Sequence, residues 1–233
     1  MTTTPKQVVN ILPTSAPRLP VATVEYSQQY VDQLTNILRL YFNGLDTTFG
    51  SLLGDVRTGT TSHPGGGYLA FPYGAFASHT TQTPDATNSP KRVVIDVTDY
   101  ANDMYYVAGN GLHTKVAGIF NVQFSAQLTN ADSQAHDVDI WLRQGSGSGT
   151  ATDVANTASV ATVPGTHGGQ PGYYVLAANF YVKLQAGDFI EFWWASNSTQ
   201  VQLNYLPAIT SPFASPGAPS IVATLSFVSR LPS

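Results

Sequence analysis

Three aspartates in the stretch ADSQAHDVD are the residues whose type and spacing come closest to a chemical site. Asp132, Asp137 and Asp139 stand close together at the junction of a loop and a predicted strand. Carboxylate oxygens are ligands that Ca²⁺ prefers in proteins, so the cluster could hold that ion. Aspartates at such junctions more often accept hydrogen bonds from turns and strand edges. We therefore expect no metal site and no cofactor, and a cation at the three aspartates is the open alternative.

Other residues that could carry out catalysis are few. The chain has five histidines and no cysteine, and no two histidines have the spacing of metal ligands on a helix. Glu25 and Glu191, the two glutamates, lie in a predicted helix and a predicted strand, whereas glycoside hydrolysis needs two carboxyl groups across one sugar. The GSGSG stretch at 145–149 lacks the central serine of a nucleophile elbow and the lysine of a phosphate-binding loop. We therefore expect no enzymatic activity.

The composition of the 233-residue chain restricts its partners. Only 10% of the residues are charged, and the formal net charge is -4. Nucleic-acid binding is not expected, because it requires a basic surface. The absence of cysteine excludes disulfides and is compatible with folding in a reducing cytoplasm. No segment has the apolar length of a signal peptide or a membrane span, so we expect a soluble protein that does not insert into membranes.

Segments with a period of two predict the elements that dominate the chain. In GIFNVQFSAQL, the side chains of Phe120, Val122 and Phe124 share one face of a strand, while polar residues occupy the other. Similar segments recur from about residue 74 to the end of the chain. Ten or so strands without a second helix are typical of a sandwich. The predicted fold class is all-β, a jelly-roll sandwich over residues 74–233.

The N-terminal part has a different pattern. Residues 1–24 contain four prolines and predict an extended arm that lies along another protein, with a disordered tail as the alternative. Residues 25–45 predict one amphipathic helix, and residues 46–73 predict a Gly/Thr-rich linker. An apolar stripe on this helix would pack on its own domain, anchor the protein or form a seam between subunits; it comprises Val31, Leu34, Leu38 and Tyr41.

The segment DFIEFWWA has apolar residues on both faces of a predicted strand. A sandwich strand needs only one apolar face, so the second face indicates a contact with another subunit. A covering loop of the same chain is the alternative. The predicted trimer interface comprises Trp141, Phe189, Trp193 and Trp194. Which of the last two tryptophans faces the trimer axis depends on the strand register.

Two motifs give the β region a family resemblance. The first is Gly-x-aromatic-x-apolar-x-aromatic from Gly118 to Phe124, and the second is Leu-x-x-Gly-Asp from Leu184 to Asp188, before an aromatic strand. In this order they resemble the jelly-roll superfamily of tumour necrosis factor and the complement globular heads, over residues 74–229. The resemblance implies a compact homotrimer with aromatic residues along its three-fold axis.

The order of arm, helix and jelly roll is similar to that of short virion proteins of tailed bacteriophages. This second resemblance implies a capsid decoration or cement protein, or a neck or tail fibre, assembled in the host cytoplasm onto other virion proteins. The arm and helix would anchor the trimer, and the jelly roll would be displayed. A carbohydrate-binding adhesin that attaches to a host surface glycan is the alternative function, and a depolymerising enzyme is the least favoured.

Overall fold

A computed structural model describes residues 15–21, 27–53 and 71–231 of the chain. The chain divides into two compact units, Met1–Phe71 and Pro72–Ser233, which are described separately. Most of the predicted arm and residues 54–70 of the predicted linker lie outside the described residues.

The described part of the first unit contains one long helix, α1, which spans Gln28–Leu53. Ser27 caps its first turn, because its hydroxyl oxygen accepts a hydrogen bond from the backbone N–H of Tyr30 at 3.4 Å. At 1.5 Å per residue, a helix of this length measures about 39 Å. The helix continues through Gly44 and past residue 45, where the sequence predicted its end, and includes residues 46–53 of the predicted linker. A glycine costs a helix only about 1 kcal/mol, so it does not by itself end one.

The described residues of the second unit form thirteen strands. In chain order, these are β1 (Tyr73–Ser78), β2 (Lys91–Arg92), β3 (Val97–Asn102), β4 (Met104–Tyr106), β5 (Leu112–Thr114), β6 (Gly118–Asn130), β7 (His136–Ser146), β8 (Thr152–Asp153), β9 (Ser159–Val163), β10 (Gly172–Leu184), β11 (Asp188–Ser196), β12 (Val201–Leu203) and β13 (Ile221–Ser229). The strands β3 and β8 were not predicted. No face of β3 is buried and β8 has two residues, so neither leaves a period-two signal.

The strands form two antiparallel sheets with jelly-roll connections. One sheet has the order β10-β6-β13-β1-β3, with β12 also paired to β6. The other has the order β4-β5-β11-β7-β8, with β2 paired to β11 and β9 paired to β7. The chain passes from one sheet to the other and back at β5, β6 and β7, and again at β9, β10 and β11. This order confirms the predicted all-β jelly roll.

The core lies between the central strands of the two sheets. The predicted inner face of β6 is confirmed, because Phe120, Val122 and Phe124 are each at most 3% exposed. Across the sandwich, Phe124 meets Phe192 of β11 edge to face, with 5.6 Å between the ring centroids. On β10, Leu176, Val182 and Leu184 also face the core, whereas Tyr174 at the beginning of the strand is exposed.

Candidate assembly interface

The two faces of β11 carry aromatic residues that the sequence assigned to a subunit interface. Ile190, Phe192 and Trp194 belong to the core, and Trp194 has 0% of its surface exposed. A side chain buried in this way has no surface left for a second chain. The prediction that Trp194 lies at a subunit interface is therefore wrong. Trp193 is the outward-facing tryptophan, because successive residues of a strand point to opposite faces.

Phe189 faces outward but is covered by its own chain. Its ring centroid lies 5.0 Å from that of His113, which stacks on Tyr105 at 5.1 Å. Gly145 of β7 stands opposite Phe189, and a Cβ at that glycine would collide with the phenylalanine ring. Phe189 is consequently only 1% exposed. Its assignment to the subunit interface is corrected, and the alternative of cover within one chain holds for this residue.

Trp193 is held on the outward face by a buried carboxylate. Its indole Nε1–H donates a hydrogen bond to Glu191 Oε2 at 2.8 Å, and Arg92 Nη1 donates to Glu191 Oε1 at 3.0 Å. Glu191 is only 7% exposed. A buried carboxylate needs such partners, because an unpaired charge away from water is costly.

Trp141 is held in a similar way by Asp153. Its indole Nε1–H donates to Asp153 Oδ1 at 2.8 Å, and the same oxygen lies 3.2 Å from Arg143 Nε. The Arg143 guanidinium also lies over the Trp193 ring, 4.5 Å from its centroid. The polar atoms of the two indoles thus have partners in their own chain. A role for Trp141 and Trp193 in a subunit interface stays a prediction, and the opposite sheet offers a better candidate.

The outward surface of the six-stranded sheet, which we call the tyrosine face, carries exposed aromatic and aliphatic side chains at both margins. The tyrosines are between 44% and 69% exposed. Tyr73 and Tyr100 contact each other at one margin, with 6.1 Å between their ring centroids. The exposed set comprises Tyr73, Tyr100, Tyr173, Val175, Tyr181 and Val228. Tyrosine is enriched in protein interfaces because it combines apolar area with a polar tip.

The centre of the tyrosine face is uncharged and shallowly concave. Outward-facing positions of β1, β6 and β13 carry no charged side chain. Ala177 of β10, Ser125 of β6 and Val222 of β13 stand side by side across the sheet. These small side chains leave a concavity of about 530 Å³. Depletion of charge at the centre of a surface is typical of interface cores.

Asn121 adds a polar feature to the same face. It lies in β6 between Tyr181 of β10 and Ser226 of β13. Its Oδ1 atom is buried and accepts no hydrogen bond from the described residues. A buried acceptor without a partner costs about 1–3 kcal/mol. A donor supplied by water or by a second chain would remove this cost.

Two of the three aspartates at the loop-to-strand junction have partners in their own chain. Asp132 Oδ2 lies 2.8 Å from His136 Nε2. This hydrogen bond lowers the pKa of Asp132 below its usual value, and a second one from the backbone N–H of Gln134 acts in the same direction. Asp137 accepts a hydrogen bond from the Thr162 hydroxyl at 2.7 Å. Across the described ranges, no three His, Asp or Glu side chains are grouped closely enough to hold a metal ion.

The helical residues predicted as an anchor or seam lie on α1 as expected. Val31 is 39% exposed, while Leu34, Leu38 and Tyr41 are half-buried. The helix, taken over its described residues, is not apolar enough to cross a membrane. Whether the four residues anchor the protein or join subunits stays a prediction.

No protein-family model and no curated protein matches the chain. Among solved structures, the chain is similar to a structure titled Eiger TNF from S. frugiperda. The TM-score is 0.45 at 10% sequence identity, and the match covers 70% of this chain and 96% of that chain. The jelly roll is therefore assigned from the strand order of the chain itself.

Proposed function

We propose that the protein is a non-enzymatic structural component of a bacteriophage virion. It assembles as a homotrimer, its N-terminal unit attaches it to the particle, and its jelly roll is displayed. The tyrosine face carries this proposal, since it combines exposed tyrosines with an uncharged centre. Exposed tyrosines around an uncharged centre are typical of surfaces at which proteins associate.

The composition of the tyrosine face supports self-association. Charged side chains are absent from its central strands, so copies of the chain can approach without burying unpaired charges. Asn121 provides an acceptor that lacks a partner within the described part of one chain. The opposite sheet satisfies Glu191 and both of its outward indoles internally, and so has less to gain from a second copy.

The N-terminal unit supports attachment to a larger particle. The helix α1 is 26 residues long, and Leu40 and Phe42 are 60% and 57% exposed. Leu40 lies on a different side of the helix from the half-buried Leu34 and Leu38, whereas Phe42, four positions after Leu38, extends their apolar stripe. Exposed apolar side chains on more than one side of a helix are suited to contact with other proteins.

A test of the virion role is to purify particles from an infected culture on a density gradient. Mass spectrometry should find the chain as a fixed component of intact particles, and cryo-electron microscopy should show protruding trimers at regular sites. Enrichment on heads or on tails would then separate a decoration protein from a fibre. If the chain is abundant in the lysate but absent from purified particles, the virion role is wrong.

A carbohydrate-binding adhesin is the second candidate. Tyr173 is 56% exposed and follows the exposed loop at 164–171, at an end of the sandwich where binding loops commonly lie. Exposed tyrosine rings can stack on sugars. Binding of the purified protein to a glycan array, abolished by Tyr173→Ala but not by Tyr105→Ala, would favour this function. Tyr105 is the matched control because its ring already stacks on His113.

A further inference from the structure

The connection between β12 and β13, residues 204–220, is an exposed loop without a charged residue, and we call it the apolar loop. All residues from 206 to 214 are exposed. The three large apolar side chains Leu206, Ile209 and Phe213 project from it, and Phe213 is 66% exposed. An uncharged loop with this much exposed apolar surface indicates a contact with another protein.

The apolar loop is held in a defined conformation. Both of its ends bond to the backbone of Gln127 in β6, through Asn204 N–H at 2.8 Å and Ser220 C=O at 2.9 Å. Further along, Leu206 pairs with Ala218 and Ile209 pairs with Ser215, each through two backbone hydrogen bonds. A loop that is already ordered loses less conformational entropy when it binds.

A closed trimer requires two different complementary surfaces on each chain. In a ring with cyclic three-fold symmetry, a surface of one subunit contacts a different surface of the next, so the tyrosine face needs a counterpart. The concavity in that face is shallow, has a volume of about 530 Å³ and opens to solvent, so a side chain that projects from a neighbouring subunit can enter it. Concavity and loop are both uncharged and both open to solvent within one chain.

We infer that the apolar loop of one subunit docks, through Phe213, into the concavity between Ala177, Ser125 and Val222 of the next subunit. This inference rests on the proposed homotrimer and names the segment that closes it. The loop supplies the apolar side chains, and the small residues of the tyrosine face supply the space for them. Repeated three times, the contact closes the ring and leaves no loop or concavity unpaired.

Disulfide trapping tests this contact directly, because the natural chain contains no cysteine. The double variant Phe213→Cys with Ala177→Cys should form covalent dimers and trimers on a non-reducing gel after mild oxidation. The matched control is Thr150→Cys with Ala177→Cys, since Thr150 is also exposed but lies in the connection between β7 and β8 of the other sheet. The control pair and each single cysteine variant should run as monomers on the same gel.

Light scattering on the wild-type protein, measured beside the cysteine variants, separates this inference from the proposed function. Trimers in solution together with covalent trimers from the Phe213–Ala177 pair support both. Trimers in solution without covalent dimers or trimers overturn the docking of the loop and leave the proposed trimer standing. Monomers in solution overturn both.

A charge at the tip of the loop provides a second measurement. Phe213→Asp should raise the dissociation constant of the trimer by about thirtyfold or more, as for other central interface residues. Val160→Asp is the control, because Val160 is 65% exposed and lies on β9 of the opposite sheet, and it should leave the constant within about threefold of the wild-type value. Equal effects of the two substitutions would contradict the inference.

Discussion

Trp193 donates its indole N–H to the carboxylate of Glu191, two residues earlier on the same strand, at 2.8 Å. Side chains at this spacing share one face of a strand. Both aromatic faces of β11 are thus accounted for within one chain. One set fills the core, and on the other face Trp193 bonds to Glu191 while Phe189 packs against His113. The tyrosine face of the opposite sheet is therefore the stronger candidate for assembly.

Loss of the Arg92 side chain should destabilise the jelly roll. The substitution Arg92→Ala leaves the buried Glu191 carboxylate without its ion-pair partner, and we expect the free energy of unfolding to fall by about 1–3 kcal/mol. Lys91→Ala is the control, because Lys91 pairs with an exposed carboxylate on Asp85, and it should cost at most about 1 kcal/mol. Urea denaturation at a fixed protein concentration measures both, and equal losses would contradict the role of Glu191.

The adjacent tryptophans should respond differently to truncation. Trp194→Ala leaves a cavity in the core and should lower the free energy of unfolding by about 3–5 kcal/mol. Trp193→Ala should cost less, because that ring is partly exposed. The same denaturation experiment distinguishes them, and a larger loss for Trp193→Ala would show that the assignment of the two faces is wrong.

A charge on the tyrosine face should impair assembly without impairing the fold. Tyr181 is 69% exposed in one chain, so Tyr181→Asp costs little in the monomer. In the trimer it would bury a carboxylate in an uncharged contact, which should weaken association by about 2 kcal/mol or more. Sedimentation velocity gives the oligomeric state and circular dichroism the fold. A Tyr181→Asp variant that assembles as well as the wild type would argue against this face.

The hydrogen bond between Asp132 and His136 has a consequence for the pH dependence of stability. It lowers the pKa of the Asp132 carboxyl below its ordinary value of 3.8. The stabilisation from this aspartate is therefore present above that value and is lost as the pH falls through the lower pKa of the folded state. His136→Ala should raise the pKa of Asp132 towards the ordinary value. A carbon-detected NMR titration of the side chain would refute this if the substitution left the pKa unchanged.

Removal of the N-terminal unit tests the division of labour between the two units. The fragment 72–233 contains the whole hydrophobic core of the sandwich and should remain soluble, folded and trimeric. It should no longer bind particles that lack the natural protein. A large fall in melting temperature, or monomers of the fragment, would favour the competing account in which Val31, Leu34, Leu38 and Tyr41 form the subunit seam.

The sequence predicted those parts of the fold whose burial repeats along the chain. Alternation in β6 identified its inner face. The motif Leu-x-x-Gly-Asp marked the turn before β11, in which the Asp188 carboxylate accepts a hydrogen bond from the backbone N–H of Gln185 at 2.8 Å. Period-two patterns report one apolar face clearly. They fail where an edge strand is exposed on both sides, as in β3. The end of α1 was misplaced for a different reason, because the helix continues through a glycine.

The candidate interface could not be located from the sequence because the contacts that decide it are between distant residues. Trp193 looked free to meet a second chain, but its ring is held by Arg143, fifty positions away. The tyrosine face joins Tyr100 to Tyr181 only through the order of the strands between them. The signal for it was present in the outward positions of YYVLAANFYVKL, which combine tyrosine and valine with no charge until Lys183.

The most direct test of the account is the mass of the wild-type protein in solution. Sedimentation equilibrium at micromolar concentration should give three times the 24.8 kDa of one chain. A single species at the mass of one chain across that concentration range would contradict the proposed assembly.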